Sequence, residues 1–372
     1  MRKSFFNKLT PAQFLRRHWQ KKPLLARASL PQFESLVSRR DLMEMAQSAD
    51  IESRLITRNG QRWQVAHGPF RKRDFAQLPA RNWTLLVQGV NHVLPQAQEL
   101  LARFDFIPYA RLDDLMVSYA PPGGGVGPHF DSYDVFLLQG TGRRRWQISR
   151  QRDLALVENA PLKILSRFRA VQEWTLAPGD MLYLPPHCAH DGIAIDECIT
   201  HSVGFRAPSA QDLCGRFLEY LQDHVQATGR YADPQLKPTR RPAHIAPQLA
   251  QGLLRLLRQA SWNQADMLRF IGIDLSTPKS QVIFAPPQRP LSAASFARTA
   301  KQHGLRLAPQ SILLYDDRAF YINGERYVAP AAARTVARRF ADQRSLAPAV
   351  IPRAALDMLY AWYRSGYLEP AR

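Results

Sequence analysis

Between residues 113 and 208 the sequence is a series of short apolar runs, each closed within a few residues by glycine or proline. Asp114-Leu115-Met116-Val117-Ser118-Tyr119 alternates. Tyr133 to Gln139 is apolar, Gly140-Thr141-Gly142 turns the chain, and Arg143 to Ile148 returns. Farther on, Ala177-Pro178-Gly179-Asp180 leads into Met181-Leu182-Tyr183-Leu184, which two prolines stop. Runs this short cannot complete the ten or more residues of an ordinary helix, and their period is two, so they read as strands joined by turns. The first 208 residues are therefore expected to form a mostly β domain built as a rolled antiparallel sheet.

The rest of the chain reads differently. Ser209-Ala210-Gln211-Asp212 resembles a capping box, with Asp212 in place of Glu or Gln, and Leu213, Phe217, Leu218 and Leu221 follow at helical spacing. Two more helical stretches, 249–259 and 263–271, come after a Pro- and Arg-rich connector. The segment 285–290 reads as a linker. Beyond it lie a helix (293–303), three short strands (312–315, 319–322, 326–328) with Asn323-Gly324 as a hairpin signal, and helices at 331–340 and 353–363. The expected division is 1–208 catalytic, 209–284 helical, and 285–372 a small α+β module of winged-helix type. The apolar residues of the helical part, with Leu253, Leu254, Leu256 and Leu257, exceed what one short bundle hides, so a homodimer interface is expected there.

No run approaches the roughly 18 apolar residues of a membrane span. The basic N-terminus lacks the apolar core of a signal peptide, and three cysteines without a Cys-x-x-Cys pair point to a reducing compartment. Cytoplasmic location and no membrane partner follow as expectations. The net charge is +19, yet residues 101–200 hold 10 basic against 12 acidic side chains, while residues 1–100 hold 17 against 7. The basic excess thus lies outside the β segment, where it would suit a polyanion such as RNA.

Chemistry concentrates in Gly123-Gly124-Gly125-Val126-Gly127-Pro128-His129-Phe130-Asp131. His-x-Asp at a strand mouth puts two ligand side chains on one face. A later histidine would complete a set of two imidazoles and one carboxylate that leaves half of an iron(II) coordination sphere open. His187 and His190 both follow the proline stop. His187 should sit in the turn, whereas His190 begins the next run and can point inward, as in a cupin jelly roll. On the return strand Arg144 shares its face with Trp146 and Ile148, so its guanidinium would be buried and would require an anion. The distal carboxylate of a dicarboxylate such as 2-oxoglutarate fits that need. Ser118 shares a face with Asp114 and Met116 and could donate to the same carboxylate. Asp114 would add a second buried acid, which a cationic substrate side chain would balance.

These residues resemble the JmjC-type ribosomal oxygenases, and most closely the bacterial arginine hydroxylases of a large-subunit ribosomal protein, the sixteenth in the usual naming. The likeness extends over most of residues 10–208, through His18 to Pro23, Trp63 to Phe70, Asp113 to Met116, the glycine run, Gln139 to Trp146 and Ser202 to Pro208. It implies a double-stranded β-helix, a helical dimerisation region and a winged-helix-like C-terminal domain. It also implies iron(II) on His129, Asp131 and His190, 2-oxoglutarate on Arg144 and Ser118, and substrate on Asp114, Met116 and Tyr133, with O₂ consumed and a hydroxylated arginine formed. Two other readings stay open: histidine hydroxylation or demethylation by the same centre, and a non-catalytic cupin that binds RNA.

Overall fold

A computed structural model describes residues 5–6, 9–60 and 62–371. The β region contains β1 (Leu24–Ala26), β2 (Ser53–Asn59), β3 (Arg62–His67), β4 (Trp83–Val87), β5 (Leu112–Ala120), β6 (Asp134–Thr141), β7 (Arg144–Ser149), β8 (Gln172–Leu176), β9 (Met181–Leu184), β10 (Ala189–Ala194) and β11 (Cys198–Phe205). Eight of them form one antiparallel sheet in the order β1-β9-β6-β11-β5-β4-β2-β3, and β10-β7-β8 form a second. This is the jelly roll expected from the strand periods.

Its central strands are buried on both faces. Along β6, Phe136 and Leu138 join a core with Phe6, Phe14 and Phe104, while Val135 and Leu137 pack with Trp146 and Ile148 on the opposite side. On β5, Leu115, Val117 and Tyr119 take the first core, which leaves Asp114, Met116 and Ser118 on the interior side. The phasing of the return strand also holds: Arg144, Trp146 and Ile148 are buried, while Arg143 is exposed and ion-pairs with Asp196 at 2.8 Å.

The glycine run closes the roll. Gly123 donates its N–H to Ala194 O (2.8 Å), Ala194 donates to Gly124 O (2.9 Å), and His129 and His190 exchange both backbone bonds at 2.9 and 2.8 Å. The run therefore lies along β10 from end to end. A Cβ on Gly125 would stand 2.4 Å from the Gly192 carbonyl, and one on Gly192 would enter the Trp146 ring, so close approach explains both glycines.

The chain forms two compact units, one of residues within 1–207, 278–311 and 332–372 and a second of residues 208–277 and 312–331. In the second unit, Ser209 caps the helix Ala210–His224 through a bond from Asp212 N–H. Asn263 caps Gln264–Ser276, and the hairpin Leu313–Tyr315, Phe320–Ile322, Glu325–Tyr327 turns at Asn323-Gly324, one residue earlier on its third strand than the sequence suggests. Tyr220, Leu221 and Phe270 form its small core. In the first unit, Ala293–His303 and Arg353–Arg364 accompany a three-stranded sheet that the sequence did not announce (Ser345–Leu346, Leu305–Leu307, Leu368–Pro370). These strands have two or three residues, too few for periodicity to register. No described helix is long and apolar enough to cross a membrane.

Candidate metal centre and co-substrate cavity

Three of the predicted side chains converge. The ligand atoms of His129, Asp131 and His190 lie within 4.8 Å of one another, with His190 Nε2 3.8 Å from Asp131 Oδ2. His129 Nδ1 bonds Gly127 O and His190 Nδ1 bonds Cys188 O, both at 2.8 Å. A carbonyl can only accept, so each Nδ1 carries the proton and each Nε2 offers its lone pair toward the shared point. Burial first, then the neighbouring His129, pushes the His190 pKa down to about 4, which keeps it in the neutral form a metal requires. The donor set of two imidazoles and one carboxylate fits iron(II).

His187 does not join them. It occupies the turn before β10 with φ 60°, is exposed, and donates its backbone N–H to Asp131 O at 2.7 Å. Its part is to fix the loop that carries the carboxylate. His201 is also separate: it sits on the opposite face of β11 from Ser202, against Phe33, and burial lowers its pKa to about 3.

The three ligands face a cavity of about 490 Å³ that also takes in Ser118, Met116, Asp114, Tyr133 and Arg144. Arg144 is 5% exposed. Its Nη1 lies 3.4 Å from Ser118 Oγ, while Nε and Nη2 have no hydrogen-bond partner among the described residues. Two buried guanidinium donors aimed at nothing are costly, and a carboxylate is the group that would satisfy them in parallel.

Asp114 departs from expectation. The sequence offers it no counter-charge, but Lys279 Nζ lies 3.3 Å from its Oδ2 and 3.1 Å from Asp113 Oδ2. Burial raises the Asp114 pKa and Lys279 opposes the rise. Tyr133 stands above this pair, 43% exposed, with its pKa raised by burial and then by Asp131, Asp114 and Asp113. Sequence reading also missed Arg54 and Gln88, which line the cavity and whose Nε and Oε1 are buried without partners among the described residues. Both lie on or beside β2 and β4, in a part of the chain where no functional spacing drew attention to them.

The fold and the ligand set define a JmjC domain, and the JmjC domain profile matches residues 99–213. A ROXA-like winged helix profile matches residues 257–369, which identifies the C-terminal module, and an AraC-like ligand binding domain profile matches 169–267. Among curated proteins, the ribosomal protein uL16 3-hydroxylase of Escherichia coli K12 is 35% identical over 362 residues, covering 95% of this chain and 96% of that one. A probable ribosomal oxygenase of Haemophilus influenzae is 42% identical over 210 residues, 55% of this chain and 52% of its own length. The X-ray structure of E. coli YcfD superposes with a TM-score of 0.84 at 34% identity, covering 97% and 98% of the two chains. A second YcfD structure, in complex with cobalt and 2-oxoglutarate, gives 0.81 at 33% identity, with the same coverage. The chain belongs to the JmjC-domain ribosomal oxygenases.

Metal content distinguishes the two candidate third ligands. His129→Ala, Asp131→Ala and His190→Ala should each reduce bound iron(II) or a cobalt(II) surrogate by at least about tenfold, as loss of one charged or coordinating partner implies. His187→Ala should retain it. Metal retention by His190→Ala together with loss in His187→Ala would reverse the assignment.

Proposed function

We propose that the chain is an iron(II)- and 2-oxoglutarate-dependent dioxygenase that hydroxylates an arginine side chain of uL16, the sixteenth protein of the large ribosomal subunit. The observation that carries this reading is the single cavity that holds the ligand triad, the buried Arg144 guanidinium with two nitrogens unpartnered among the described residues, and the Asp114 carboxylate together. When bound, iron(II) with 2-oxoglutarate and O₂ supplies the oxidising power to insert one oxygen atom into an unactivated C–H bond, leaving succinate and CO₂.

The protein's own residues bind and orient. His129, Asp131 and His190 would hold the metal through Nε2, a carboxylate oxygen and Nε2. Arg144, through Nε and Nη2, with Ser118 beside it, would fix the distal carboxylate of 2-oxoglutarate, setting the length of the co-substrate against the metal. Met116 and Tyr133 would flank the aliphatic stem of the target side chain, and Asp114 would accept from the guanidinium at its end. Arginine is favoured over histidine because the cavity presents a buried carboxylate at Asp114, which suits a permanently charged guanidinium better than a ring that is mostly neutral near pH 7.

A homodimer through the helical region is part of this reading. Leu221 is buried in its own unit, but Leu218, Leu253, Leu254 and Leu257 are exposed, the last by 71%. That much apolar surface on two helices suits a second copy of the chain. The basic excess outside residues 101–200 would favour uL16 presented with ribosomal RNA, in the cytoplasm.

Four experiments test these claims. Mass spectrometry of uL16 incubated with enzyme, iron(II), ascorbate and 2-oxoglutarate should show a gain of roughly 16 mass units on one arginine, where demethylation would remove roughly 14. A peptide series with Arg, Lys, His or citrulline at that position should be turned over only with Arg, and equal turnover of His or citrulline contradicts the substrate reading. RNA-bearing precursor particles should be better substrates than free uL16 at low salt, and equal rates remove the RNA contact. Sedimentation at micromolar concentration should give a dimer, and a monomer excludes the helical interface.

A further inference from the structure

Asp113 and Asp114 stand at the start of β5, and one ammonium meets both. Lys279 belongs to the segment 278–311 that packs with the jelly roll. It reaches Asp113 Oδ2 at 3.1 Å and Asp114 Oδ2 at 3.3 Å. The two oxygens of Asp114 are used differently. Oδ2 also accepts the Gly89 N–H at 3.2 Å. Oδ1 accepts no hydrogen bond from the described residues; a Cβ built on Gly204 would lie 3.9 Å from it and 3.8 Å from Cε2 of Tyr133. Asp113, Asp114, Tyr133 and Gly204 line the cavity, while Lys279 does not. The ammonium therefore holds the carboxylate from outside the space that the substrate would enter.

We propose that Lys279 is a positioning residue for substrate recognition: with the Gly89 amide it pins Asp114 Oδ2 and leaves Oδ1 turned into the cavity as the acceptor for the substrate's cation. The inference rests on the arginine reading above. It also changes how that reading works. Asp113 and Asp114 are balanced by Lys279 and by Arg206, whose Nε lies 3.4 Å from Asp113 Oδ1. Four charges that cancel exert little long-range pull on a basic partner. Recognition then depends on one short, charge-assisted bond to a pre-set oxygen.

The groups around Asp114 set its response to pH. Burial raises its pKa and Asp113 adds to the rise, while Lys279 and the Gly89 amide lower it. Tyr133 faces it from the cavity, with Asp131 beyond. His92, whose pKa burial and then Lys279 lower to about 4, stays neutral at the back of the cluster. Without Lys279 the carboxyl would hold its proton to higher pH and lose its fixed rotamer. A protonated Asp114 cannot form the ionic bond, so binding of a cationic side chain would fail over a wider acidic range.

The test uses the uL16 peptide identified by mass spectrometry, labelled and bound to the full-length protein, with anisotropy read as pH is varied. Lys279→Met should move the acid limb upward by about one pH unit, so that on the acid side of the wild-type limb binding is about tenfold weaker, and it should also weaken binding near neutrality, where the carboxylate has lost its fixed rotamer. Lys279→Arg should restore both. Tighter binding by Lys279→Met would make the lysine a competitor for the site and overturn the inference. Equal weakening at every pH, with no recovery in Lys279→Arg, would overturn it in favour of a purely structural role. Wild-type protein that binds the citrulline peptide as tightly as the arginine peptide would instead remove the arginine reading itself, whatever the Lys279 variants do.

Discussion

The site depends on the backbone pair between His129 and His190. Each donates to and accepts from the other, and this fastens the loop that enters the large sheet to the first strand of the small one. Two imidazoles are thereby set side by side with ring centres 4.2 Å apart, a spacing their side chains alone would not hold. Carbonyls of Gly127 and Cys188 then fix the tautomers. The His187 amide holds the Asp131 carbonyl, so Asp131 is positioned from the same turn that delivers His190. Glycine is required at positions 125 and 192, where the facing backbone and the Trp146 ring leave no room for a Cβ.

Electrostatic balance organises the rest of the cavity. Arg144 is buried in the wall with two guanidinium nitrogens that the described residues leave unpartnered, and its neighbours Ser118 and Trp146 offer it a hydroxyl and a ring face. A site built this way is incomplete without an anion, which couples co-substrate binding to the stability of the cavity wall. The acids at the other end are treated in the opposite manner. Asp114 is supplied with a resident cation and an amide, which oppose the rise that burial imposes on its pKa before any substrate arrives. One end of the cavity waits for its partner, and the other is held ready.

Much of this was legible in the sequence because it rests on local period. Alternation placed Arg144 and Trp146 inside and Arg143 outside, and it put Asp114, Met116 and Ser118 on one face. Proline spacing separated the turn residue His187 from the ligand candidate His190. The helix from Ser209 and the hairpin at Asn323-Gly324 were announced by their caps and turn residues. What the sequence did not disclose was long-range pairing. Lys279 lies 165 residues from Asp114, on a connector with no periodicity, so nothing local links the two. For the same reason a buried acid that seemed to lack a counter-charge already had one. Arg54 and Gln88 were missed because β2 and β4 reach the cavity only through the order of the large sheet.

The role proposed for the buried guanidinium of Arg144 is to hold the far carboxylate of 2-oxoglutarate. It is tested most directly by the co-substrate requirement of two neighbouring arginine variants. Loss of a charged hydrogen-bond partner is worth about 1.5–3 kcal/mol, so Arg144→Ala should raise the 2-oxoglutarate concentration for half-maximal turnover on the order of 10- to 100-fold. Arg143→Ala, on the outer face and paired with Asp196, should leave that concentration unchanged. Equal effects of the two substitutions, or none from Arg144→Ala, would contradict the account.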